Sequence, residues 1–296
     1  MRAVLLCCLG MSLASGAASA AAVLIPVVPV AGATATNVTA INDDGTIAGY
    51  YVDADGLEHA FFGPLDGKHY KTFDGGDGGT EARGINDSGL ITGLSNSQSG
   101  DAGAQPIFVR NLNGKIVGVT RSGEQLNGYI GGMDNAKNRF AGAYWDPARH
   151  HIVAFLGQKG KWTRDVKIPQ VHQASAARGI NGTGTVVGSY FTPPMHGFVL
   201  ANKTLVTVDY PSGESAGTEL EAINDKGLAV GQWTDAKGHA HSFVYDTVTA
   251  TFTDIAVKHA HQVAAWGINS QGAVAVATDK GSFIWCASRR ACVNSR

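Results

Sequence analysis

The sequence predicts an all-β protein: a six-bladed β-propeller with four short strands per blade and an N-terminal strand closing the last blade. Three observations carry this expectation. A segment of about 45 residues recurs along the chain, at the length of a propeller blade. Each copy holds short apolar runs separated by turn residues, and no stretch sustains a 3.6-residue period with helix caps. Glycine supplies 39 of 296 residues without a Gly-X-Y period, so it serves turns.

In chain order, Met1-Arg2, the apolar run Ala3–Leu9 and the small-residue exit Ala18-Ser19-Ala20 form an expected signal peptide over residues 1–20. A membrane anchor needs about 20 apolar residues, and Gly10, Ser12, Ser15 and Gly16 interrupt this run. A lipoprotein signal is disfavoured because Leu6 stands before Cys7 where a small residue is needed. Export to the periplasm or the medium is therefore expected, with residues 21–296 forming one propeller domain.

Val23–Val27 lies 18 residues before Ile41, as Leu205–Asp209 lies 18 before Ile223, so the mature chain opens on a fourth strand with no blade of its own. The repeat follows. Ala40-Ile41-Asn42-Asp43-Asp44-Gly45 returns as Gly84-Ile85-Asn86-Asp87-Ser88-Gly89, and again from Gly179-Ile180-Asn181, Ala222-Ile223-Asn224 and Gly267-Ile268-Asn269. A degenerate copy sits at Gly132-Met133-Asp134. The markers at 41, 85, 133, 180, 223 and 268 are 44, 48, 47, 43 and 45 residues apart. In each copy Asn-x-x-Gly closes a hairpin, an apolar run ending in Gly follows, and a third strand carries His59-Ala60-Phe61, His196-Gly197-Phe198 or His241-Ser242-Phe243. A fourth strand such as Lys115–Val119 ends the copy. The last copy has only a weak fourth candidate near Cys292-Val293, which the N-terminal strand replaces. Cys286 and Cys292 are expected to form a disulfide in an oxidising compartment.

The Ile-Asn-x-x-Gly motif, the later Gly and His59-Ala60-Phe61 resemble the HAF extracellular repeat family of bacteria, over roughly residues 31–285. The resemblance implies a repeat architecture and export; it supplies no activity and no catalytic residues. The third copy departs most, with Asp134 for Asn and Val153 for His, and the sixth has Val276 where the others have Gly.

Composition narrows the function classes. A formal net charge of −1 and pI near 6.8 leave no basic excess for nucleic acid or an anionic membrane. No membrane span and no cofactor are expected, and a monomer is. The recurring His59, His196 and His241 read as hydrogen-bonded loop anchors, since equivalent third-strand positions diverge from the axis. Asp53-Ala54-Asp55-Gly56 and the Asp74–Asp77 run read as turns, not calcium loops, because no Glu follows at the required spacing. The sialidase Asp-box is absent, and the chain is read as carrying no Gly-x-Ser-x-Gly elbow.

Two rows of residues break the repeat just before each marker. They are Thr39, Arg83, Gly131, Arg178, Glu221 and Trp266, and, two residues earlier, Asn37, Glu81, Tyr129, Ala176, Glu219 and Ala264. Charged and aromatic residues varying on a constant scaffold, near the mouth of a central channel, mark a candidate ligand site built from Arg83, Arg178, Glu221, Glu81, Glu219, Tyr129 and Trp266. The sequence leaves two functions open. One is a binding or scaffold module for a glycan or protein. The other is a lyase or hydrolase of acidic glycans, with the arginines on the carboxylate and Glu or Tyr as acid or base. Mutual salt bridges plugging the channel would argue against the enzyme.

Overall fold

The computed structural model describes residues 22–76, 78–96, 105–169, 173–212, 215–289 and 292; the expected signal peptide lies outside them. It is all-β in architecture and built from one repeated unit. Ala35–Ile41 pairs with Thr46–Val52, that with Glu58–Pro64, and that with Lys71–Phe73, each antiparallel. The same order returns in Thr80–Ile85, Ile91–Ser95, Ile107–Arg110 and Ile116–Gly118, and in Gly128–Met133, Arg139–Asp146, His151–Gln158 and Lys161–Asp165. It continues through Ser175–Ile180 to Thr204–Val208 and Gly217–Ile223 to Thr251–Ile255, two units touching through a parallel bridge at Met195 and Gly217.

The final unit has Val263–Ile268, Ala273–Thr278 and Gly281–Cys286, and its outer strand is Val23–Pro26. Leu24 stands opposite Trp285 and Ile25 opposite Ile284, and the Val27 N–H donates to the Ser282 carbonyl at 2.9 Å. The N-terminal strand thus occupies the sheet edge that would otherwise be left bare. Cys286 and Cys292 are joined in a disulfide beside it, with Cα atoms 5.7 Å apart, while Val293 lies outside the described residues. The short loop it closes contributes about 2–3 kcal/mol by chain entropy. Alkylation and intact mass of residues 21–296 made under oxidising conditions should find no free thiol until reductant is added.

Asn does more here than turn the chain. In the Asn42 turn, Oδ1 accepts the Thr46 N–H at 2.8 Å while Gly45 takes φ 76°. Its Nδ2 meanwhile donates across to the next unit, at the Asn86 carbonyl. Asn181 donates to the Asn224 carbonyl, Asn224 to Asn269, and Asn269 back to Asn42. The degenerate copy is patched: Asn86 donates to Asn138 Oδ1 at 2.7 Å, and Arg139, held by Asp134, donates to the Asn181 carbonyl at 3.0 Å. These bonds return to their starting residue, so the inner hairpins form a closed circle. Only a side chain with both an acceptor and a donor can hold its own turn and reach the next one, which is why Asn recurs. Asn181→Ala should therefore cost about 1–3 kcal/mol by stranding buried groups, against little for exposed Lys226→Ala; urea midpoints of the two variants check this.

Gly49, Gly93, Gly142, Gly188 and Gly231 each stand opposite a third-strand Phe, namely Phe61, Phe108, Phe155, Phe198 and Phe243. A Cβ on Gly188 would sit 1.9 Å from the Ala176 carbonyl oxygen and 3.0 Å from the Phe198 ring. Glycine lets the ring lie flat on the sheet, and Phe61, Phe155, Phe198 and Phe243 are fully buried. In the last unit Val276 faces Phe283, which is only partly buried.

Candidate functional site at the channel mouth

Every inner strand carries a β-bulge at one place. Pairing jumps from Val38 to Ala40, Ala82 to Gly84, Ala177 to Gly179, Leu220 to Ala222 and Ala265 to Gly267, and from Ile130 to Met133 in the irregular unit. The skipped residues are Thr39, Arg83, Arg178, Glu221 and Trp266, with Gly131 and Gly132 skipped together in the irregular unit. A bulged residue is freed from the alternation of the sheet and re-aimed. Here the bulges turn the non-repeating row inward, where Thr39, Arg83 and Trp266 border a common cavity.

The candidate residues come together as ion-paired clusters, two arginines against three glutamates. Arg178 Nη2 lies 2.7 Å from Glu219 Oε2, and its Nη1 lies 3.3 Å from Glu221 Oε2. Tyr129 OH donates to the same Glu221 oxygen at 3.4 Å, and Arg178 lies over the Tyr129 ring at 4.7 Å. Arg83 is paired with Glu81 and faces the rings of Trp266, Tyr129 and Tyr50 at 5.2, 5.8 and 5.9 Å. Tyr50 and Glu58, which acts on Glu81, are additions to the sequence reading. Tyr50 was reachable by alternation, because it stands opposite Asn37; Glu58 enters from another unit, which no repeat spacing reveals.

Burial sets the charges. It pushes the Glu221 carboxyl up to about 7, with Arg178 opposing and Glu219 reinforcing the shift. Burial also lifts the Tyr129 hydroxyl to about 12, helped by Glu221. Burial would lower Arg178, but Glu221, Tyr129 and Glu219 outweigh it and hold the guanidinium charged. Because Glu221 binds its proton more tightly folded than unfolded, its contribution to stability is greatest below about pH 4.5 and is lost as pH rises through 7. Melting temperatures of wild type should decline relative to Glu221→Gln between pH 5 and 8; parallel profiles would refute that assignment.

Beneath the mouth, Ile41, Ile85, Met133, Ile180, Ile223 and Ile268 form an apolar collar. It separates a cavity of about 50 Å³ on the charged side from one of about 60 Å³ on the asparagine side. Since one water occupies about 30 Å³ of liquid, neither holds a substrate. The mouth is a shallow surface, with the Arg178 and Glu219 side chains 21% and 25% exposed and Glu221 only 2%.

The histidine row lies at the outer rim of the same face. His59 stacks on Tyr51 and bonds Asp53 and Asp74, His196 stacks on Tyr190 and bonds Asp209, and His241 stacks on Trp233 and bonds Asp235. Each pins a loop of its own unit. Among the described residues no three His, Cys, Asp or Glu side chains are grouped to hold a metal. Asp53 Oδ1 accepts the N–H groups of Asp55 and Leu57, the geometry of a turn; Asp77 lies outside the described residues.

One expectation needs correcting. Residues 213–217 read Gly-Glu-Ser-Ala-Gly, a Gly-x-Ser-x-Gly run, although no nucleophile elbow was expected. The elbow requires a strand-to-helix turn, and this run leads into the strand Gly217–Ile223. Ser215 Oγ donates to the carbonyl of Gly217 in its own loop, and Gly213 and Glu214 lie outside the described residues.

No family model and no curated protein match the chain. Solved structures do. TolB from Acinetobacter baumannii is 11% identical with a TM-score of 0.56, over 81% of this chain and 63% of TolB, so the chain spans less than two thirds of that protein. The β-propeller domain of the trilobed protease from Pyrococcus furiosus is 10% identical with a TM-score of 0.51, over 83% of this chain and 78% of that one. Aleuria aurantia lectin in complex with Fucα1-6GlcNAc is 12% identical with a TM-score of 0.51, over 87% and 96%. At such identities the likeness establishes fold alone: this is an all-β protein of the β-propeller class. No helix of the described residues is long and apolar enough to cross a membrane.

Proposed function

We propose that the chain is an exported, six-bladed propeller of the HAF-repeat type, a single domain that acts as a binding module for a neutral glycan through its loop face. The observation that carries this reading is that Arg83 and Arg178 are both taken up by Glu81, Glu219 and Glu221, which leaves neither arginine free for an acidic ligand. A free arginine pair would favour an acidic ligand; a paired one offers donors and acceptors to hydroxyl groups without demanding a ligand charge. Trp266 and Tyr50 stand beside these pairs, and aromatic faces complement the apolar face of a sugar ring. Fucose recognition by a propeller lectin of similar fold supports the class of ligand.

A lyase or hydrolase at this mouth would need a free carboxyl that reaches its substrate; Glu221 is sealed under Arg178 and Tyr129, and the more exposed Glu219 is held by Arg178 at 2.7 Å. Calorimetric titration with neutral fucosylated and with uronate-containing oligosaccharides tests the reading. Binding of the neutral set, weakened at least tenfold by Trp266→Ala, is expected. Turnover of the uronate set, or neutral-glycan binding indifferent to Trp266, would overturn it.

A further inference from the structure

The end of the molecule opposite the charged mouth has its own chemistry. Strand direction brings four turns there: the inner hairpins 86–90 and 134–139, and the outer turns 111–115 and 158–161. Between them is a cavity of about 210 Å³ walled by Leu90, Val109, Val117, Met133 and Phe140, with Asn111, Asn138 and Lys159 at its polar edge. Small-molecule sites occupy roughly 300–1,000 Å³, so this one is sized for a single apolar side chain. Leu112, 67% exposed, and Val117, 38% exposed, add apolar surface in the same region.

Cations surround it. Lys115, Lys137, Lys159 and Lys161 are all exposed, and none is ion-paired within the described residues. The carboxylates of these turns are Asp134, buried and held by Arg139, and Asp87, which accepts the Asp43 N–H. On a chain of net charge −1, four unpaired lysines around an apolar cavity form a local excess of opposite sign.

We propose that this end is a docking surface for an acidic peptide segment of a protein partner, which inserts one apolar side chain into the cavity and sets its carboxylates against the lysines. The cavity anchors the segment and the lysines attract it, with strength that falls as salt rises. This surface lies away from the glycan face, and the two readings stand or fall separately.

The test uses a dye-labelled Asp-Glu-Asp-Phe-Glu-Asp peptide and the exported chain, read by fluorescence anisotropy at low and physiological salt. Saturable binding is expected, weakened at least tenfold in the Lys115→Gln, Lys137→Gln, Lys159→Asn, Lys161→Gln variant, whose exposed substitutions should leave melting unchanged. Asn suits the φ of 54° at position 159. Replacing the peptide's Phe by Ala, or enlarging the wall by Val117→Phe, should weaken binding similarly. Absent binding, equal binding by the fourfold variant, or equal binding of the Ala peptide or polyglutamate would overturn the proposal, the last by reducing it to general attraction for polyanions.

Discussion

Deleting residues 21–30 should make the protein aggregate, the largest effect expected of any short change in this chain. The deletion removes Val23–Pro26 from its pairing with Gly281–Cys286 and strips Val27, Ile25 and Val30 from the core they share with Val38 and Ile284. Burying one aliphatic side chain is worth about 1.5–3 kcal/mol, so several together rival the 5–15 kcal/mol of a whole domain. The exposed edge of Gly281–Cys286 would then template pairing between molecules. Light scattering during a thermal ramp and size-exclusion chromatography check the outcome. A synthetic peptide of residues 22–31 added during refolding should restore monomer. A truncated protein that remains monomeric and melts as before would refute the closure.

Arg178→Ala should destabilise the fold by about 3–5 kcal/mol, because it leaves Glu221 buried without its cation. The double variant Arg178→Met, Glu221→Met should recover most of that loss, since it removes both charges and keeps the volume. Chemical denaturation of the three proteins measures the difference. A cost for Arg178→Ala below about 1 kcal/mol would mean the pair is solvated and the mouth open.

Much of this fold was legible because a repeat multiplies weak signals. One Ile-Asn-x-x-Gly says turn; recurring near every 45 residues it says blade, and the displaced strand Val23–Pro26 says where the seam lies. What the repeat hid was what each copy does to its neighbour. The hairpin role of Asn42 was readable from the following Gly, but its donation to Asn86 depends on two segments 44 residues apart lying side by side. The candidate site was legible as a row, since Thr39, Arg83, Arg178, Glu221 and Trp266 vary where everything around them is constant. The bulges that aim those side chains were not, because a bulge leaves no residue signature except the small Ala or Gly that follows. The irregular copy around Met133 was the least readable. Its extra hairpin, pairing Thr120–Arg121 with Glu124–Gln125, answers no motif in the other copies.

The strand Val23–Pro26 also fixes an order of events. Its partner Gly281–Cys286 is some 260 residues downstream, so the earlier segment must wait for the later one. Pairing across so long a stretch of chain slows folding, since loop entropy is lost before any contact repays it. The seam therefore works as a clock as well as a clasp, since its sheet is complete only when two segments from distant parts of the chain have met.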